Sequence, residues 1–219
     1  MAYRYDARGN IYIVSSPQEL QTDGVSIPDD ARQAALTKGS WAGPAITHFC
    51  GWGHEGRPAG AKAHRSDGLL VGPFRIGQDA DLLVVNTDGS LAKRSGNGLT
   101  IFAQALKDKN VGDPDAPRVL RVHHDQPGPT PTVTNVEPAT VDGASGFWLD
   151  LGVPFFGPEE VGARSSTIGP APPTSHGFYR VHRLADVDAA WERSVFVNVG
   201  NPQGYCSADN GATGSGRVV

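Results

Sequence analysis

The chain has 219 residues, enough for one large domain or two small ones, each with its own core. With 38% hydrophobic residues, a net charge of -4 and no run of Lys or Arg, it reads as a globular protein whose main partner is neither nucleic acid nor an anionic membrane. Frequent glycine (28) and proline (17) favour many short elements joined by tight turns over a helical bundle.

No apolar run approaches the roughly 20 residues of a membrane-spanning helix. The opening Met1-Ala2-Tyr3-Arg4-Tyr5-Asp6 lacks the apolar stretch of a secretory signal, so a cytoplasmic location is expected. Cys50 and Cys206 are few and far apart, and read as reduced thiols without a structural pairing.

Tyr3 to Val14 alternates and is rich in Tyr, Ile and Val, the pattern of a strand interrupted at Gly9-Asn10. Asp29 to Lys38 predicts a short helix with acids in its first turn and Gly39 just past its end. Gly43 to Arg65 reads as loop. It holds His48, Cys50, His54 and His64, whose spacing is no recognised zinc arrangement, so no metal is expected. Leu69 to Val71 and Asp81 to Val85 have strand length, the second running into the tight turn Asn86-Thr87-Asp88-Gly89-Ser90.

The stretch Ser95-Gly96-Asn97-Gly98 is followed by Leu99, Phe102 and Leu106 at helical spacing, which predicts a helix starting within 95–98 and ending near Asn110. A hydroxyl, a carboxamide and several backbone N–H groups then meet at the positive end of a helix, a place suited to a carboxylate. The same residues also read as a plain N-cap and a glycine turn. Likewise Asn10 reads as a turn residue after Gly9, Asn86 as a turn residue closing a local hydrogen bond, and Asn201 as a turn residue before Pro202.

Gly112 to Pro117 is the expected boundary. After it come strands at 119–122 and 132–136, a turn at 140–143, and an apolar run at 147–156. His123-His124-Asp125 reads as a solvated strand edge, because neighbouring strand residues face opposite ways. Trp191 to Val199 predicts a further strand, and 204–219 a Gly-rich tail without a packed element.

Read together, these segments resemble the diaminopimelate epimerase-type amino-acid racemases. The family's Gly-Asn-x-Phe-Val-Val strand is matched by Gly9-Asn10-Ile11-Tyr12-Ile13-Val14, and its Ala-Asp-Gly-Leu-Leu by Ser66-Asp67-Gly68-Leu69-Leu70. Its Phe-Asn-x-Asp-Gly-Ser and Cys-Gly-Asn-Gly are matched by Val85-Asn86-Thr87-Asp88-Gly89-Ser90 and Ser95-Gly96-Asn97-Gly98. Its Met-Gly-Asn-Pro-His is matched by Val199-Gly200-Asn201-Pro202-Gln203, all in the family's order.

The resemblance implies an α+β fold of two related units, each a curved, mostly antiparallel sheet around a central helix. The units expected are residues 1–113 with a central helix over 98–110, and 118–203 as an incomplete second unit. It implies an isomerase without pyridoxal phosphate or any other cofactor, which removes and returns the α-carbon proton of an amino acid in the lysine and diaminopimelate pathway. Asn10, Asn86, Gly96, Asn97 and Asn201 would hold the substrate, and Ser95 would be the catalytic position. The expected partners are a small-molecule amino-acid substrate and a second copy in a homodimer.

The sequence departs from the family twice. Ser95 stands where the family has its first catalytic cysteine, and a hydroxyl is a far poorer base than a thiol of reference pKa about 8.5. Beyond Gln203 nothing matches the second cysteine and its helix except a degenerate echo in Gly211 to Gly216. The alternatives are therefore a non-catalytic amino-acid-binding protein, or a Ser-variant dehydratase or isomerase of the same fold.

Overall fold

A computed structural model describes residues 2–7, 9–53, 56–75, 77, 79–164, 166, 168–169, 178–188, 193–199, 202–207 and 217–218. It divides into two compact units, Met1–Asp150 and Leu151–Val219.

The first unit is built on one eight-stranded sheet, ordered β1-β2-β3-β4-β6-β7-β8, with β5 also on β4. The strands are β1 (Tyr3–Asp6), β2 (Ile11–Ser15), β3 (Gly68–Val71), β4 (Ala80–Asn86), β5 (Leu91–Ala92), β6 (Arg118–Val122), β7 (Thr132–Val141) and β8 (Ala144–Leu149). The β2–β3 and β4–β6 pairs are parallel and the others antiparallel. Segment 112–117, the expected boundary, therefore lies inside this unit, because β6 after it joins the same sheet as β4 before it.

Strands β3 and β4 are apolar nearly throughout because helices cover both of their faces. On one face, Ile13, Leu69, Val71, Leu83 and Val85 join a core with Trp41, Ile46 and Phe49 of helix α3 (Lys38–Cys50) and with Ala34 and Ala35 of α2 (Ala31–Leu36). The opposite face carries Tyr12, Val14, Leu70, Leu82 and Val84, and there helix α4 (Gly96–Asp108) packs through Leu99, Phe102 and Leu106. Each of these large side chains contributes roughly 1.5–3 kcal/mol by leaving water. Helix α4 touches both β2 and β8, which lie far apart in the strand order, so the sheet curls around it. Tyr5 on β1 adds a tie, its hydroxyl donating to Asp108 Oδ2 at 2.9 Å. Burial, with that carboxylate, pushes the Tyr5 pKa up to about 12.

The ends of α4 are written locally. Ser95 caps its start, and Asn110, at φ 53°, closes it with Asn110 N–H on the Lys107 carbonyl and Val111 N–H on the Leu106 carbonyl. Helix α1 (Pro17–Thr22) opens with a reciprocal cap between Ser16 and Glu19 and with Pro17 in its first turn.

Three expectations are corrected here. Gly43 to Cys50 is helix, although Pro44 sits inside it, because burial of Trp41, Ala45, Ile46 and Phe49 outweighs the lost backbone hydrogen bond. Cys50 is accordingly a buried core thiol whose pKa burial raises. His123 and His124 do face opposite ways, but neither is solvated. His123 Nε2 lies 2.7 Å from the buried Asp81 Oδ1, and His124 is 2% exposed beside Thr132 Oγ1. Within 204–219, β13 (Pro202–Ser207) pairs with β12 (Arg193–Asn198) and with β14 (Arg217–Val218), since backbone pairing tolerates a polar, Gly-rich sequence.

The second unit contains a four-stranded sheet, β14-β13-β12-β9, with β9 at Phe155–Phe156, and a pair β10 (Ile168–Gly169) with β11 (Arg180–Val181). Among its described residues the one α-helix is α5 (His182–Val187). No helix among the described residues is long and apolar enough to cross a membrane.

Candidate active site at the start of helix α4

Helix α4 begins at Gly96, inside the predicted window, and Ser95 precedes it in extended conformation. Ser95 Oγ accepts Gly98 N–H at 3.1 Å, and its carbonyl accepts Leu99 N–H at 2.8 Å. The amides of Gly96 and Asn97 have no hydrogen-bond partner among the described residues. They lie at the positive end of the helix dipole, where an anion is favoured. Gly98 is closely packed in this turn. A Cβ there would sit 3.0 Å from Ser95 Oγ and 3.4 Å from Leu70 Cδ2.

Two residues reach this turn from the N-terminal hairpin, Asn10 from its turn and Tyr12 from β2. Asn97 Nδ2 donates to Asn10 Oδ1 at 2.6 Å, joining the helix start to the turn between β1 and β2. The Tyr12 hydroxyl lies 3.3 Å from Ser95 Oγ. Tyr12, Gly68 and Asn86 stand in one row across β2, β3 and β4. The Tyr12 ring lies over Gly68, where an added Cβ would come within 2.8 Å of Tyr12 Cε1 and 2.5 Å of the Val85 carbonyl oxygen. Glycine at 68 is therefore what lets the ring lie flat and its hydroxyl reach Ser95.

Arg94 donates to the Val133 carbonyl at 3.0 Å, and burial lowers its pKa against the pull of Asp150. The His124 pKa is lowered by burial first and by nearby Lys93 second.

Of the predicted site residues, Ser95, Gly96, Asn97 and Asn10 meet at one place. Asn86 ends β4 in the same row as Tyr12, but its carboxamide donates to Ser90 Oγ at 2.9 Å. That serine in turn donates its hydroxyl to Asp88 Oδ1 at 2.6 Å. Asn86 thus closes the 86–90 turn, and the Ser90 donors keep the Asp88 carboxyl below its usual range. Asn201 lies outside the described residues.

Asp67 of the matched Asp-Gly pair is a structural residue. Its Oδ2 accepts Ile11 N–H at 2.8 Å and its Oδ1 pairs with Lys62 at 2.8 Å. Burial opposes its charge, but these donors outweigh burial and lower its pKa.

Sequence reasoning passed over Tyr12, although its alternation with Ile13 already put it on the face that carries α4. Among the described residues no Cys, Asp, Glu or His side chain hydrogen-bonds Ser95, and no group of His, Cys, Asp or Glu is arranged to hold a metal ion.

The site can hold a carboxylate on the Gly96 and Asn97 amides, with the Ser95 hydroxyl beside it. The Asn10–Asn97 clamp leaves the Asn97 carbonyl oxygen as an acceptor for an ammonium group.

No family model matches the chain. Over 112 residues it is 34% identical to diaminopimelate epimerase 2 of Nostoc sp. (strain PCC 7120 / SAG 25.82 / UTEX 2576). The matched stretch is 51% of this chain and 30% of that relative's length. The relationship is thus partial on both sides. It agrees with the resemblance in the motifs and with the curled α+β sheet around α4.

Proposed function

We propose that the first unit is an amino-acid-handling isomerase module of the diaminopimelate epimerase type, acting at the α-carbon without pyridoxal phosphate. The observation that carries this reading is the head of α4. Two unengaged amides, the Ser95 hydroxyl and the Asn10–Asn97 clamp converge there as a cradle for the carboxylate and ammonium of one amino acid. The 34% identity to a diaminopimelate epimerase supports diaminopimelate as the first substrate to test, and with it a place in lysine metabolism in the cytoplasm. Asn86, at the end of β4 in the same row as Tyr12, is a further candidate substrate contact.

Chemistry at the α-carbon needs one group to take a proton and one to return it. Ser95 occupies one of these positions. The helix start stabilises negative charge on the carboxylate and on the enolate-like carbanion that proton removal creates.

The test is incorporation of deuterium from heavy water at the α-carbon of diaminopimelate and of a panel of other amino acids. Exchange that Ser95→Ala abolishes is the expected result. Exchange with none of them rules out the isomerase.

The absence of a thiol at position 95 favours a second reading, an amino-acid-binding protein without turnover. Saturable binding of an amino acid without exchange is its signature.

A further inference from the structure

The two hydroxyls at the head of α4 lie 3.3 Å apart, where either can donate to the other. Tyr12 is 6% exposed, and Ser95 Oγ is the one hydrogen-bond partner its hydroxyl has among the described residues. Ser95 is partly exposed, and one of its acceptor positions already holds Gly98 N–H. A serine hydroxyl has one proton to donate and two lone pairs to accept with. A buried phenol that fails to place its proton on an acceptor loses a hydrogen bond it cannot recover from water. Ser95, by contrast, reaches solvent. The favoured order is therefore Tyr12 O–H donating to Ser95 Oγ and Gly98 N–H donating to the same oxygen. Both Ser95 lone pairs are then occupied, and its one free function is its own O–H, available to the ligand.

We propose that Tyr12 works through Ser95 as a proton relay that makes Ser95 the proton-returning side of the site. The idea rests on the reading above, that the head of α4 holds an amino acid. In the step, the Ser95 O–H bond breaks as its proton forms a C–H bond with the carbanionic α-carbon. The Tyr12 proton moves to Ser95 Oγ, and the negative charge that began on carbon ends on the Tyr12 oxygen. One proton and no electrons cross each link, so no further reactant is needed. The advantage over a lone serine lies in where the charge ends. Phenols ionise near a reference pKa of about 10, and an aliphatic alkoxide is a far less stable anion.

Tyr12→Phe keeps the buried ring over Gly68 and deletes only the hydroxyl, so the fold is retained. With diaminopimelate as the probe, we expect this variant to bind within about threefold of the parent. Its α-carbon deuterium exchange should fall on the order of 100-fold, a usual size for general acid–base assistance. Ser95→Thr, which keeps a hydroxyl and the cap, should retain part of the exchange.

In the unliganded chain carrying 13C at tyrosine Cζ, the Tyr12 hydroxyl should exchange with solvent more slowly than that of exposed Tyr3. Ser95→Ala should remove that protection. Exchange in Tyr12→Phe equal to the parent's, or an unprotected Tyr12 hydroxyl in the parent, overturns the relay and leaves the isomerase reading standing. No exchange in the parent with any amino acid overturns both.

Discussion

Asn97 Nδ2 and Asn10 Oδ1 lie 2.6 Å apart although 87 positions separate them in the chain. This bond fastens the first turn of α4 to the turn between β1 and β2, and it orients both carboxamides at the candidate site. Because both residues are at least partly open to solvent, the bond itself is worth about 0.5–1.5 kcal/mol. Asn10→Ala and Asn97→Ala should each lower the affinity for diaminopimelate by about tenfold while shifting the denaturation midpoint little. The double variant should be weaker by less than the product of the two effects, because each single change already frees the other residue. Calorimetric titration of the parent and the three variants gives the coupling. Strictly multiplicative losses would show that the two residues act apart.

Ser95 also has a structural duty that can be measured without any ligand. Ser95→Ala removes the side-chain cap of α4 and should cost about 1 kcal/mol in urea denaturation, whereas Ser95→Asp, which can still cap, should cost less. An alanine variant as stable as the parent would mean that another group caps the helix.

Gly68 should be intolerant of even one methyl group. A Cβ there would meet the Val85 carbonyl oxygen at 2.5 Å, and a main-chain oxygen within a sheet cannot swing aside. Gly68→Ala is expected to destabilise by about 2 kcal/mol or more. It should also lift the Tyr12 ring, so exchange activity should fall further than the stability loss explains. Circular dichroism melts beside deuterium exchange test both, and a variant of parental stability would refute the packing account.

Glu19 makes stability depend on acid pH. Its carboxylate caps α1 through Ser16 N–H at 2.8 Å and pairs with Lys109 at 3.3 Å, so it links α1 to the far end of α4. Burial works against its charge, but the donors around it, Ser16 N–H and the Lys109 ammonium among them, outweigh burial and lower its pKa from 4.5 to about 2. The folded pKa lies below the unfolded one. The stabilisation is therefore complete above about pH 4.5 and disappears as pH falls through about 2. After solvent screening it amounts to about 1 kcal/mol. Denaturation curves from pH 6 to pH 2 should show this loss in the parent and a correspondingly flatter profile in Glu19→Gln. Parallel profiles would exclude Glu19 as a source of the pH dependence.

Much of the first unit was legible because its signals are local. Leu99, Phe102 and Leu106 announced α4, and Ser95 with the glycines announced its start. Asp88-Gly89 announced the turn after β4. Segment 43–50 was not legible, since Gly43 and Pro44 weigh against helix locally and only burial of the Trp41 and Phe49 face against the sheet overrides them. The His123-His124 pair misled for the same reason. Nothing near it in sequence reveals Asp81, which β4–β6 pairing brings alongside.

The sequence by itself determined where α4 starts and that its head carries a hydroxyl, a carboxamide and free amides, because helix caps and glycine turns are set by residues within a few positions of one another. Only the tertiary structure decided which distant groups face that head. Asn10 and Tyr12 reach it because a parallel pair, β2 beside β3, lays the N-terminal strand under the helix, and Gly68 leaves room for the Tyr12 ring to cross. Contacts of that kind depend on strand order and on the curl of the sheet around α4, and neither is encoded in any short stretch of chain.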